Sequence, residues 1–171
     1  MSPLLESILI GIITGLFSGW LSSYLVTKYY RRKDDMRDKD DYMLNLKRHI
    51  VSIYRILKII QFNPDYERKI EYTENLKNEL LYAPKYQNRF KLSDDEMKIL
   101  AEYEKNLKNI KDELSEYGRC KNVIYILEKR PGKTDDDKKA LHKTRGEQKV
   151  ALDRLGRYNG LWMLAISKFE I

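Results

Sequence analysis

The chain has 171 residues and a mass of 20.5 kDa, the size of one ordinary domain. Charged residues make up 35% and hydrophobic ones 42%, with a mean hydropathy of −0.64, which excludes both a disordered acidic tail and a polytopic membrane protein. The formal net charge is +7, and one cysteine (Cys120) with two histidines (His49, His142) excludes an internal disulfide framework and a multi-cysteine metal site.

Residues 7–27, SILIGIITGLFSGWLSSYLVT, are 21 positions without a charge. As a helix they extend about 32 Å, enough to cross a hydrocarbon core of about 30 Å. A secretory signal wants basic residues ahead of the apolar run and a small-residue cleavage site behind it. Here MSPLLE comes first, with Glu6 and no Lys or Arg, and Lys28, Arg31, Arg32 and Lys33 follow the run. The pattern predicts an uncleaved, single-pass transmembrane anchor over residues 1–30. The positive-inside rule puts its N-terminus outside and the rest of the chain in the cytoplasm. Lys28, Arg31, Arg32 and Lys33 then meet anionic inner-leaflet lipid, each gaining about 1 kcal/mol. Trp20, Tyr24, Tyr29 and Tyr30 fall at the same end, where amphipathic rings favour the headgroups.

The faces of this helix are unequal. Ser7, Gly11, Gly15, Gly19 and Ser23 recur every four residues, and Thr14, Ser18 and Ser22 fill the adjoining row. Together they form one continuous face of a 3.6-residue helix. Off that face, from Ile8 to Leu25, every residue is bulky. Small residues let helix backbones approach closely in lipid, and hydroxyls can bond across the contact. The segregation predicts self-association or a specific membrane partner, and the reading taken is a homo-oligomer.

Residues 31–41, RRKDDMRDKDD, carry ten charges in eleven positions. Arg31/Asp35, Asp35/Lys39 and Arg37/Asp41 are i,i+4 pairs that suit a solvated helix, with a flexible linker as the alternative. From residue 42 onward the pattern is helical, with no strand alternation. Met43, Leu46, Ile50, Ile53, Leu57 and Ile60 repeat at 3/4 spacing, a heptad seam widened by Val51, Tyr54 and Ile56. Asn63-Pro64 ends this helix, and a weaker one runs from Asp65 to Leu81 with Tyr66, Ile70, Leu76 and Leu80, closed by Ala83-Pro84. Ser93 and Glu96 form a capping box. The helix behind it carries Leu100, Tyr103, Leu107, Ile110, Leu114 and Tyr117, and continues through Ile124 and Leu127 to Arg130. Thr134 caps the last helix, whose apolar side is Leu141, Leu152, Leu155, Trp162, Ile166 and Phe169, with Asp135, Asp136 and Asp137 at its positive end. The expected fold is all-α: a transmembrane helix, a charged juxtamembrane segment at 31–41, and over 42–171 a cytoplasmic antiparallel helical bundle with coiled-coil-like packing.

Chemistry-bearing patterns are thin. Gly132-Lys133-Thr134 suggests a phosphate loop, but that motif wants a glycine at position 127, where Leu stands, and a strand before it. A capped turn between helices fits better. His49 and His142 have no His or Cys at i+3 or i+4, so neither reads as a metal ligand. Cys120 has no base beside it in sequence. Lys85-Tyr86 and Arg89-Phe90-Lys91 interleave cations with rings as a single-strand binder does, yet a solvated loop accounts for them, and nucleic acid is not the expected partner. The basic excess is spread out, densest at 28–33 and at Lys47, Arg48, Arg55 and Lys58. No catalytic, cofactor or metal residues are assigned. The abundance of Lys, Ile, Asn and Tyr suggests an AT-rich, bacterial coding genome. The reading is a non-enzymatic, single-pass membrane protein acting as a homo-oligomer, in its sharpest form a membrane-perturbing effector or pore component. An anchored scaffold or adaptor whose bundle binds a protein is the alternative, and a membrane-tethered enzyme a third class without a visible site.

Overall fold

The computed structural model describes residues 3–86 and 90–167. Among them the regular structure is entirely helical: α1 Pro3–Phe62, α2 Tyr66–Glu79 running into a 3₁₀ turn at Leu80–Tyr82, α3 Asp94–Lys129 and α4 Asp135–Ser167. Residues 31–41 are part of α1, which settles helix over linker for that segment. The chain divides into two compact units, Met1–Tyr42 with Gln87–Lys91, and Met43–Tyr86 with Leu92–Ile171.

Helix ends in the second unit follow local chemistry. The Asn63 amide closes α1 by donating to the Ile59 carbonyl at 2.9 Å, and Pro64 cannot continue the ladder. Asp65 then caps α2, its Oδ1 accepting from the amides of Glu67 at 3.0 Å and Arg68 at 3.5 Å. Ser93 and Glu96 close the expected capping box, Oγ accepting from the Glu96 amide and Oε2 from the Ser93 amide at 2.7 Å. Thr134 and Asp137 form a second reciprocal cap at α4: Oγ1 accepts from the Asp137 amide at 3.2 Å, and Oδ2 from the Thr134 amide at 2.9 Å. The turn between α3 and α4 passes through Gly132 at φ +69°, a backbone that glycine adopts without cost.

The four helices of this unit pack as a bundle. Cross-helix pairs fix the directions of α3 and α4, because α3 numbers rise as α4 numbers fall. Tyr103 meets Trp162 edge-on at 5.6 Å between ring centroids, Glu113 meets Arg154 at 3.2 Å, and Glu128 meets Arg145 at 2.6 Å. These two helices are antiparallel. Lys121 reaches Glu74 of α2 at 2.7 Å, and Asn159 of α4 donates to Gln61 of α1 at 3.0 Å.

The seam on α1 is the centre of the core. Leu46, Ile50, Ile53, Leu57 and Ile60 are all completely buried, as are Leu76, Ile110, Leu155 and Trp162. Fully burying each aliphatic side chain contributes about 1.5–3 kcal/mol. Leu100, Tyr103, Leu107, Tyr117 and Leu152 are buried as the spacing predicts. The seam is narrower than expected at its edges, since Met43, Val51, Tyr54 and Ile56 are half-buried and Tyr66 is exposed. The side chain of Ile166, and all of Phe169, lie outside the described residues.

One buried polar side chain in this core is satisfied at both of its polar atoms. His49 is buried between three elements: Nδ1 is 2.9 Å from the Tyr103 hydroxyl on α3, and Nε2 is 3.0 Å from the Glu79 carbonyl at the end of α2. Both ring nitrogens are therefore satisfied, which is what burial of an imidazole demands. The histidine is a structural clamp, as its isolation in the sequence suggests.

Candidate functional site

The first unit contains the apolar segment. Beginning within it, α1 is the one helix among the described residues long and apolar enough to cross a membrane, and none of that apolar window is buried. Ile10, Phe17, Trp20 and Leu25 are each more than half exposed. Contiguous apolar surfaces of this extent mark sites of membrane or protein contact.

The small residues form an unobstructed strip. A Cβ added at Gly11, Gly15 or Gly19 would meet nothing within 4 Å. Ser18, Ser22 and Ser23 are exposed beside them. Two of the hydroxyls bond within the helix. Thr14 Oγ1 donates to its own helix at the Ile10 carbonyl, 2.7 Å away, and Ser18 Oγ to the Gly15 carbonyl at 3.1 Å. In an apolar surrounding a donor takes the nearest acceptor, and the helix carbonyl three or four residues back is always within reach. What these two hydroxyls still offer is their small size and an acceptor lone pair.

At the other end of the segment, rings and cations interleave. Phe17 meets Trp20 at a tilt and Trp20 stacks on Tyr24, with centroids 6.2 and 5.9 Å apart, and Lys28 Nζ lies 5.7 Å from the Tyr24 centroid. Tyr29 and Tyr30 contact edge-on at 5.7 Å. Lys28, Arg31, Arg32 and Lys33 are all exposed. Farther along, an ion pair joins Arg37 to Asp34 at 3.8 Å, at i,i+3 spacing. Both partners are exposed, so the pair adds little stability. Phe90 packs against Tyr42 with centroids 5.6 Å apart, so this ring of the Lys85–Lys91 loop is engaged in packing; Arg89 lies outside the described residues.

In the second unit the residues with chemical potential are embedded in packing. Cys120 is buried and burial pushes its thiol pKa up, away from the thiolate a nucleophile needs. His142 is exposed on α4. The Gly132-Lys133-Thr134 string follows helix α3 rather than a strand, and its threonine is occupied by the cap with Asp137. Hydrogen bonds from Thr134, with Arg130 close by, hold the Asp137 carboxyl below its ordinary range. Among the described residues no three His, Cys, Asp or Glu side chains come together as metal ligands would.

Two open grooves flank α2, and the sequence reading singled out neither. One, of about 840 Å³, lies where α2 meets α3 and α4. At it the Tyr66 hydroxyl donates to Gln148 Oε1 at 3.0 Å, and its charges are matched in sign, with Arg145 on Glu128 at 2.6 Å and Lys69 3.9 Å from Asp153. The other, of about 890 Å³, lies between α2 and α3, and its charges are not matched. Only the periodicity of the lysines on two separate helices could have pointed to it. Compared with protein families, characterised proteins and solved structures, the chain matches none.

Proposed function

We propose that the protein is a non-enzymatic, single-pass membrane protein whose N-terminus lies outside and whose bundle is cytoplasmic, and that it works as a homo-oligomer held by the small-residue face. The observation that carries this is the exposed, charge-free stretch of α1 at residues 7–27 with an open strip at Gly11, Gly15 and Gly19. Lipid tails are as apolar as leucine, so association in the bilayer must come from close packing, and a strip without Cβ atoms is where two backbones approach most closely. An assembly of such faces perturbs or perforates the bilayer, which makes an effector or pore component the sharpest form of the reading. The second form, an anchored adaptor, is favoured by the unbalanced groove between α2 and α3.

Gly15→Ile places a β-branched side chain at the middle of the strip, and Ile13→Leu changes shape on the bulky side. Both keep the span hydrophobic, so both variants insert. Crosslinking in membranes should show oligomers for the wild type and for Ile13→Leu, and monomer for Gly15→Ile, with any membrane-dependent phenotype lost in parallel. Oligomers and phenotype retained by Gly15→Ile would refute the assembly and leave the adaptor.

A further inference from the structure

The groove between α2 and α3 is built from one side of each helix. Leu80 and Leu114 form its apolar floor, and Leu81 stands at one end 78% exposed. Tyr82, next in the chain, is 79% exposed. Four cations line the groove, Lys77 from α2 and Lys111, Arg119 and Lys121 from α3, against one carboxylate, Glu74. Glu74 pairs with Lys121 at 2.7 Å, and Arg119 pairs with Glu116 at 2.6 Å. Lys77 and Lys111 form no ion pair among the described residues, so the groove keeps a positive field over an apolar strip.

Two features of shape select the occupant. The first is where the cations stand. From Lys111 to Lys121 the α3 side of the groove runs about 15 Å at 1.5 Å per residue, nearly three helical turns. The two cations without an ion pair among the described residues stand on different walls, Lys77 on α2 and Lys111 on α3, where they meet carboxylates on both sides of a helix, whereas a single anionic headgroup would want them gathered at one point. The second is Gly118, midway along that side, where an added Cβ would meet nothing within 4 Å. A bare backbone at the centre of an open groove lets a neighbouring helix come in close.

The geometry points to a docking site for an acidic amphipathic helix of a protein partner, its apolar stripe on Leu80, Leu81 and Leu114 and its flanking carboxylates on Lys77 and Lys111. This is helix-in-groove recognition, in which residues at i, i+4, i+7 and i+11 supply the apolar contacts and flanking charges set the partner and the register. The inference rests on the bundle alone and gives the adaptor reading its contact surface; it holds whether or not the apolar segments assemble.

The test uses the full chain in phosphatidylcholine nanodiscs, a zwitterionic surface that does not compete for the cations. The probe is a fluorescent helical peptide of about 18 residues with leucines at i, i+4, i+7 and i+11 flanked by glutamates; a second peptide has lysine at every glutamate position. Anisotropy should show the acidic peptide bound at least about tenfold more tightly than the basic one, a difference that shrinks as salt is raised. Lys77→Glu with Lys111→Glu should weaken the acidic peptide about tenfold or more. Lys105→Glu with Lys143→Glu makes the same change in net charge on exposed lysines outside the groove, and should leave affinity within about twofold. Gly118→Phe fills the open space and improves helix propensity, so it should abolish binding while the thermal melt is kept or raised. Equal loss in the two charge variants, undiminished binding to Gly118→Phe, or no preference for the acidic peptide would each overturn the site. The mass of the loaded nanodiscs reports oligomer number in the same samples, so failure of docking and failure of assembly are read separately.

Discussion

Gly156 offers a test in which one substitution carries opposite signs at two places on one helix. It lies on α4 against α1, where an added Cβ would stand 2.9 Å from Gln61 Cα and 3.0 Å from Gln61 Cβ. Carbon atoms prefer separations of about 3.5–4.0 Å, so alanine here must part the helices by about 0.5–1 Å. The obstructing atoms include backbone, which cannot swing aside as a side-chain tip does. Overpacking of this kind costs about 1–3 kcal/mol. Separation would also stretch the Asn159–Gln61 hydrogen bond, 3.0 Å long and part-buried, at a further cost of about 1 kcal/mol. Against these stands a gain of about 1 kcal/mol for replacing glycine in a helix interior. The balance is a loss of about 1–3 kcal/mol, from the same magnitudes. At Gly146, also on α4, a Cβ meets nothing within 4 Å, so the same change should stabilise by about 0.5–1 kcal/mol. Urea unfolding of the detergent-solubilised chain, followed by far-ultraviolet circular dichroism, measures both, with the apolar segment as a constant background. Equal or greater stability of Gly156→Ala relative to Gly146→Ala would refute the close crossing of α1 and α4.

Other outcomes follow from the same coordinates. Ile110 is completely buried, so Ile110→Asp should cost about 4 kcal/mol or more and abolish the cooperative melt of a fragment from Asp41 to Ile171, which should otherwise be soluble and helical; substantial strand in its circular dichroism would sink the bundle. Burial pushes the Tyr117 hydroxyl up to about 12, so the folded chain keeps a proton that the unfolded chain loses near pH 10. That contribution is complete below about pH 10 and is lost as pH rises toward 12, at most about 2–3 kcal/mol, and Tyr117→Phe should flatten the alkaline loss without removing it, because Tyr66 and Tyr158 are raised too. Gln148 lies beside the Tyr117 hydroxyl but accepts from Tyr66 at 3.0 Å, so the phenylalanine variant should stay within about 1 kcal/mol of the wild type at pH 7. A reporter fused after Ile171 should read as cytoplasmic; lysines at positions 2–5 with Lys28, Arg31, Arg32 and Lys33 neutralised should weaken or invert that orientation, and an external C-terminus in the unaltered chain would refute the topology.

The bundle was legible because its determinants are local. A capping box needs four consecutive residues, and the seam from Leu46 to Ile60 declares itself by spacing alone. Residues 31–41 were ambiguous because alternating charge suits both a solvated helix and a linker. The continuity of α1 has a plain cause: from Trp20 to Asn63 there is neither Gly nor Pro. With helix nucleated on both sides, propagating through ten charged positions in eleven costs less than two new helix ends. Burial of Gln148 and Asn159 was not legible, because a polar residue on a helix reads as solvated until a neighbouring element supplies its partner.

The same distinction separates what the sequence says of the two candidate surfaces. The small-residue strip belongs to a single helix, so its register follows from 3.6 residues per turn, and only the direction of the hydroxyls required coordinates. Thr14 and Ser18 direct their protons into their own helix. Any association there is consequently a matter of backbone approach, and its sensitivity should track side-chain volume at Gly11, Gly15 and Gly19 more than loss of a hydroxyl. Thr14→Val, which keeps the volume and removes the donor, should therefore leave crosslinked oligomers intact where Gly15→Ile removes them. The groove between α2 and α3, by contrast, exists only once two helices distant in the chain lie side by side. Lys77 and Lys111 look like ordinary solvated lysines until they line one groove with Leu80 and Leu114, and it is that juxtaposition, not either residue, that makes an acidic helix the fitting occupant.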